Sequence, residues 1–328
     1  MKAPHIVAWE VTKACNLTCA HCRASASREP APGELTTEEG LRLLEDLAES
    51  GTRMVILSGG EALARRDVME LAQDGTRLGL RMTLATNGSL VDRQAARLIK
   101  ASGIARVSVS LDGAHASTHD TIRGMPGAFD MAIQGISRLV EAGVPVQVNT
   151  TVASVNISEM SRIPELVEKL GACAWHVFFL VPTGRGASME PALVGEYRDM
   201  LEDFRKVSNH SSIECKATCA PQYYRMLLEE EGFSPTKGCL AGTGFGFVSA
   251  TGEVQPCGFL QVSCGNVRQR PFSEIWVSSP LLLALRDPDV LKGKCGSCRF
   301  KEVCGGCRAR AFEVLGDALE TDPICWFS

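Results

Sequence analysis

Apolar strand-like runs and amphipathic helical stretches alternate six times over the first two hundred residues. No other feature of the chain narrows its fold as far. The strand-like runs are His5–Thr12, Arg53–Ser58, Arg81–Thr86, Arg106–Leu111, Val144–Val152 and Ala174–Val181. Several are nearly unbroken Val, Ile and Leu, as in parallel strands buried on both faces. Helical stretches lie between them: Thr37–Glu49, Asp67–Leu78, Asp92–Ala101, Ala128–Ala142 and Glu159–Leu170. Gly51, Gly79, Gly103, Gly143 and Gly171 follow as C-terminal caps. Thr36 or Thr37 can cap the first helix, with Glu38 and Glu39 in its first turn. Six such units in order predict an α/β fold, an open partial (β/α)6 barrel with its working residues at the C-terminal ends of the strands. A helix over Leu193–Val207 closes this unit. Short Cys- and Gly-rich segments follow, with no good parallel strand. We therefore expect a barrel over 1–207 and a Cys-rich region over 208–328.

The chain has 14 cysteines, many for a reducing compartment, where metal or redox chemistry is the better reading than disulfides. Three sit after the first strand as C-x3-C-x2-C: Cys15, Cys19 and Cys22. Three thiolates on a short loop hold three irons of a 4Fe–4S cube and leave the fourth iron open to a small molecule. The alternative is a zinc knuckle, but His21 and Cys22 are adjacent and do not easily close one tetrahedron. Ten cysteines fall between Cys215 and Cys325. Cys173 precedes an apolar strand and reads as an inert core thiol.

A net charge of −4 gives no basic footprint for nucleic acid. No apolar run is long enough to span a bilayer. The first residues lack the apolar core of a signal peptide, so a cytoplasmic protein is expected.

Polar motifs end the strands. Ser58-Gly59-Gly60-Glu61 ends the second; its glycines allow close approach of a ligand, and its carboxylate can accept from an ammonium group. Thr86-Asn87-Gly88 ends the third, and Ser108-Val109-Ser110-Leu111-Asp112-Gly113 the fourth. Arg123 can pair a carboxylate, and Asn149 projects from the fifth strand. Each has a local alternative: turn capping for Asn87 and Asp112, a surface ion pair for Arg123.

These motifs together resemble the radical S-adenosylmethionine (SAM) enzymes. The resemblance implies that Cys15, Cys19 and Cys22 ligate a 4Fe–4S cluster whose open iron chelates SAM. It also implies that Gly59, Gly60, Glu61, Ser110, Arg123 and Asn149 contact SAM. Ala62 stands where the family usually has Pro. The Cys-rich region, C-x12-G-x4-C, then C-x2-C-x5-C-x2-C, then C, resembles the SPASM extension, which carries auxiliary clusters. Its last cysteine pair is separated by two residues rather than the usual three. Carried over, Cys295, Cys298, Cys304 and Cys325 ligate an outer cluster, and Cys239, Cys257 and Cys307 an inner one. The fourth inner ligand is open between Cys264, Cys219, Cys215 and a site left free for substrate. One or two auxiliary clusters are implied; structural zinc is the alternative.

Three stretches resemble the tetrapyrrole-modifying branch of the family, nearest the heme b synthases: Trp175–Gly186, Lys216–Arg225 and Gly238–Gly242. A macrocycle with four propionates needs aromatic faces and fixed cations. Tyr223, Tyr224, Phe178 and Phe179 offer faces, Arg185, Lys216 and Arg225 offer cations, and His176 can face the iron or a propionate. Core packing is the alternative for Phe178 and His176. The resemblance implies hydrogen abstraction from a propionate β-carbon, then loss of CO2 and one electron to leave a vinyl group. Two such steps convert iron-coproporphyrin III to heme b. A low-potential donor and an electron acceptor of flavodoxin or ferredoxin type are implied partners. Other readings are acetate removal from 12,18-didecarboxysiroheme, heme d1 maturation, peptide modification, and a non-enzymatic Fe–S or zinc scaffold. Peptide-modifying members commonly carry an N-terminal clasping domain, for which a cluster loop beginning at residue 15 leaves no room.

Overall fold

All six expected strands form, in order and in parallel: β1 (Ile6–Glu10), β2 (Met54–Ser58), β3 (Arg81–Thr86), β4 (Arg106–Ser110), β5 (Val146–Val152) and β6 (Ala174–Phe179), each hydrogen-bonded to the next. The computed structural model describes residues 3–327. Helices α1 (Thr37–Ser50), α2 (Val68–Arg77), α3 (Arg93–Ala101), α4 (Ala116–Arg123), α5 (Ala128–Glu141) and α6 (Ile163–Lys169) connect them, and α7 (Val194–His210) follows β6. The start of α1 is a capping box: Thr36 Oγ1 accepts from the Glu39 amide, and the Glu39 carboxylate accepts from the Thr36 amide. Gly51 ends that helix at φ 94°, where a side chain would be strained.

The Cys-rich region departs from expectation. Its β7 (Glu214–Thr218) pairs in parallel with β6, and its β8 (Phe245–Val248) in parallel with the free side of β1. The expected hairpin forms between β8 and β9 (Glu253–Gln255), and β10 (Gly265–Asn266) adds to it. One ten-stranded sheet results, ordered β10-β9-β8-β1-β2-β3-β4-β5-β6-β7. Helix α8 (Pro221–Glu231) follows β7; short helices α9 (Phe272–Ser278), α10 (Pro280–Arg286), α11 (Gly293–Ser297) and α12 (Arg308–Leu315) complete the chain.

Alternation along β6 sorts its side chains. Trp175, Val177 and Phe179 are buried outward against the helices, where Trp175 meets Phe204 at 5.6 Å and Phe179 meets Tyr197 at 5.1 Å between ring centroids. Burying a large apolar side chain of this kind contributes roughly 1.5–3 kcal/mol. His176 and Phe178 fall on the opposite face, toward the barrel lumen. No helix among the described residues is long and apolar enough to cross a membrane.

Candidate functional site

Cys15, Cys19 and Cys22 sit on one loop at the C-terminal end of β1, packed with Leu17, Ala24 and Ala26. The Leu17 and Ala26 amides point to the sulfurs of Cys15 and Cys22, both at 3.4 Å. Burial pushes the Cys15 thiol up to about 11 and raises Cys19 as well. Such thiols hold their protons until a metal displaces them. The glycines after β2 also bring backbone against backbone beneath this loop. The Gly60 amide donates to Thr12 O and the Glu61 amide to Ala14 O, both at 2.8 Å. A Cβ on Gly60 would lie 2.6 Å from Ala14 O.

Glu61 is buried. Its carboxylate accepts from Thr86 Oγ1 at 2.8 Å, the Asn87 amide at 2.7 Å and the Leu63 amide at 3.0 Å. Burial nevertheless raises its carboxyl above the ordinary range. Asn87 in turn donates to Asn16 Oδ1 at 2.9 Å, inside the cysteine loop.

Arg123, expected to face a carboxylate ligand, pairs with Asp112 at 2.7 Å and points Nη1 at the Cys19 sulfur, 3.8 Å away. Asp112 is buried completely and also meets His21 Nε2 at 3.2 Å. Burial works to raise the Asp112 carboxyl, but Arg123, His21 and His119 outweigh it and hold the group below its usual value. Burial lowers His21 to about 4. Spacing alone carries no sign of this His21–Asp112–Arg123 linkage. It could have been sought in the polar character of the β4 terminus.

Ser110 of β4 lies opposite Asn149 of β5, Asn149 opposite His176 of β6, and His176 opposite Lys216 of β7. Four residues singled out separately in the sequence thus form one cross-strand row on the lumen face. His176 Nε2 meets Glu214 Oε1 at 3.0 Å, and Arg106 Nη1 donates to Glu214 Oε2 at 2.9 Å. Burial lowers His176 to about 4, so it is neutral at pH 7.

Cys295, Cys298, Cys304 and Cys325 line one cavity of about 330 Å³, with Arg225, Phe300 and Phe327 at its wall. Arg308 Nη2 points to the Cys295 sulfur at 3.4 Å and Arg225 Nη1 to the Cys298 sulfur at 3.9 Å. Burial pushes the Cys304 thiol up to about 12. The second group brings together Cys239, Cys257, Cys307 and Cys219, which act on one another electrostatically. The neighbouring Cys219 thiol holds Cys307 below its ordinary value, while burial raises Cys257 to about 12. Cys264 and Cys215 lie elsewhere, with thiols turned to Val262 O and Ile213 O. Cys173 is exposed rather than a core thiol, because it precedes the buried part of β6.

The remaining residues singled out from the sequence are already engaged. Tyr223 and Tyr224 are buried, Tyr223 against Phe204 at 5.4 Å and Tyr224 donating its hydroxyl to Ala217 O at 3.1 Å, so neither ring offers a free face. Arg185 donates to Cys19 O and Ala26 O, both at 2.9 Å, and props the cysteine loop. Arg225 stacks on Phe327 at 3.5 Å.

Among the described residues no three of these side chains close on a single metal ion; the donor chemistry, thiols in sets, is that of iron–sulfur groups. There is a three-thiol loop and there are two four-thiol groups, each with cationic or amide donors directed at sulfur, as clusters require. Beside the three-thiol loop, His21 Nδ1, Arg123 Nε and Arg185 Nη2 are buried without a hydrogen-bond partner among the described residues.

Known proteins align with these features. A family model of the radical SAM superfamily matches residues 9–167, and one of the SPASM iron–sulfur cluster-binding domain matches residues 239–308. The AdoMet-dependent heme synthase of Methanosarcina barkeri is 48% identical, over 98% of this chain and 96% of that one. The Fe-coproporphyrin III synthase of the same organism is 36% identical, over 98% and 88%. The crystal structure of Streptococcus suis SuiB bound to S-adenosylmethionine superposes with a TM-score of 0.81 at 17% identity, covering 99% of this chain and 78% of that one.

Proposed function

The chain belongs to the radical SAM superfamily and carries a SPASM extension, and on that premise we propose that it is a heme synthase that oxidatively decarboxylates two propionates of iron-coproporphyrin III to vinyl groups. The observation that carries this reading is the 48% identity, along almost the whole of both chains, to an AdoMet-dependent heme synthase, against 36% to the Fe-coproporphyrin III synthase.

SAM and the 4Fe–4S cluster it ligates supply, when bound, a deoxyadenosyl radical able to take a hydrogen atom from an unactivated carbon. The protein's part is placement and exclusion. Cys15, Cys19 and Cys22 would hold the cluster. Arg185, Gly60 and Glu61 fix the cysteine loop by hydrogen bonds to or from its backbone. Gly59, Gly60 and Glu61 with Ser110 and Asn149 line the SAM side of the lumen. Arg123, held by Asp112, supplies positive charge beside Cys19. The reaction asks no side chain to act as base, which suits a lumen whose His176 is neutral and already bonded to Glu214.

Each propionate gives up one hydrogen atom, one CO2 and one electron. An acceptor is therefore needed. Cys219, Cys239, Cys257 and Cys307 would hold an inner auxiliary cluster and Cys295, Cys298, Cys304 and Cys325 an outer one; such groups would supply one-electron redox chemistry, and a flavodoxin or ferredoxin is the partner we propose for it. The barrel's share of the chain is 1–207 and the extension's 208–328.

The test is an anaerobic assay of reconstituted protein with SAM, a low-potential reductant, an electron acceptor and iron-coproporphyrin III, read by mass spectrometry. Loss of CO2 and two hydrogens at each of two propionates, with 5′-deoxyadenosine formed, is expected. SAM cleavage with the porphyrin unchanged would sink the substrate assignment and leave didecarboxysiroheme as the next substrate to try.

A further inference from the structure

Three cations in this chain have the placement or sequence context to meet a carboxylated substrate, and two are already committed. Arg185 gives its Nε and Nη1 to the carbonyls of Cys19 and Ala26, which fixes it against the cysteine loop. Arg225 lies between Phe327 and Phe300, pairs with Glu229 and points at Cys298. Lys216 is different. Its strand neighbours Cys215 and Ala217 pack toward the helical core, so alternation puts Lys216 on the lumen face. It is half-buried there and makes no hydrogen bond or ion pair with the described residues. Glu214, the carboxylate that acts on it, is taken up by Arg106 and His176.

We propose that Lys216 anchors, inside the barrel lumen, a carboxylate side chain of the substrate that the reaction retains. This rests on the tetrapyrrole reading above. The row Ser110–Asn149–His176–Lys216 crosses three strand intervals, about 14 Å at the usual spacing. SAM beside Ser110 and Asn149 leaves Lys216 at the far end, clear of the reacting carbon. The separation is chemically apt. An ammonium on the departing carboxylate would stabilise the anionic ground state that must lose its charge, and so slow the step. On a retained carboxylate the same ion pair only holds the macrocycle in place. Burial lowers the Lys216 ammonium below its ordinary value, and a carboxylate ligand would reverse that cost. Neutral His176 next to it adds no competing charge, and Phe178, two residues on, lies on the same lumen face.

The test compares affinities rather than turnover. Dissociation constants of the cluster-loaded protein are measured anaerobically by absorbance titration for iron-coproporphyrin III and for its tetramethyl ester. Lys216→Gln is expected to weaken the tetra-acid by about 10- to 100-fold, the value of one charged hydrogen bond, and to leave the ester and SAM unchanged. Lys216→Arg should keep most of the tetra-acid affinity. If the Gln variant does not fold, Lys216→Met carries the same comparison. A Gln variant that binds the tetra-acid like the wild type, or loses acid and ester equally, overturns the proposal. A wild type that binds neither porphyrin overturns the tetrapyrrole reading itself, and with it this subsite.

Discussion

Asp322 and Arg310 form a buried ion pair at 3.2 Å, with side chains 0% and 3% exposed, between the two groups of auxiliary cysteines. Asp322 Oδ2 accepts the Cys307 amide at 2.8 Å, and the Asp322 amide points to the Cys295 sulfur at 3.5 Å. Arg310 Nη2 donates to Cys219 O at 2.8 Å. One pair therefore touches both groups. Asp322→Ala leaves Arg310 buried without its partner and should cost about 3–5 kcal/mol. Chemical denaturation of the reconstituted protein measures this, and iron analysis should show loss from both auxiliary sites. A wild-type melting profile would refute the linkage.

The inner group offers a cleaner discrimination. Cys219→Ser should lower iron and labile sulfide content and remove one reduced-cluster signal from the electron paramagnetic resonance spectrum. Cys264→Ser and Cys215→Ser should leave both unchanged, because their thiols are turned to Val262 O and Ile213 O.

Gly60 faces backbone oxygens, which cannot yield as a flexible side chain can. A Cβ there would meet Ala14 O at 2.6 Å and Lys13 O at 2.7 Å. Gly60→Ala should cost roughly 1–3 kcal/mol and displace the cysteine loop, with SAM cleavage falling more than auxiliary iron content. Gly195→Ala, with nothing within 4 Å, is the matched control and should be neutral in both.

Acid stability should depend on one staple between barrel and extension. Arg268 grips both Glu39 oxygens, at 2.6 and 2.7 Å. Chiefly through that contact, the Glu39 carboxyl falls from 4.5 to about 2. A depressed carboxyl stabilises the fold fully above its unfolded value and loses that contribution as pH falls from about 4.5 toward 2. The melting temperature should therefore drop over that window, and less steeply in Glu39→Gln. The pair is partly exposed, so added salt should shrink the difference. Thermal scans from pH 6 downward read both effects.

The sequence was most legible where hydrophobic pattern and local geometry agree. Strands β1 to β6 are short β-branched or apolar segments such as Met-Val-Ile-Leu-Ser, and Thr36 and Asp92 cap the helices α1 and α3, so both the order and the parallel sense could be read. Helix α4 was not, because Ala-Ser-Thr-His-Asp-Thr-Ile-Arg holds mostly residues that compete with the backbone for hydrogen bonds. Strand β7 was missed for a different reason: Glu-Cys-Lys-Ala-Thr has almost no apolar run and is fixed by its pairing with β6. Pairings between distant polar groups have no period at all. Nothing in the spacing of Asp112 and Arg123 announces an ion pair, and nothing in the spacing of Cys219 brings it to Cys307. Cys219 instead stands in a left-handed turn at φ 58°, a tertiary demand that composition does not record.

Strand β1 has no free flank: β2 covers one side and β8 the other. Removing everything after residue 207 would strip β8 away and leave a row of unmet amides and carbonyls along the strand that feeds the cysteine loop. Such a rim invites pairing between molecules. A shortened chain should therefore be sticky before it is merely inactive, and the extension is as much the barrel's seam as its electrical fitting.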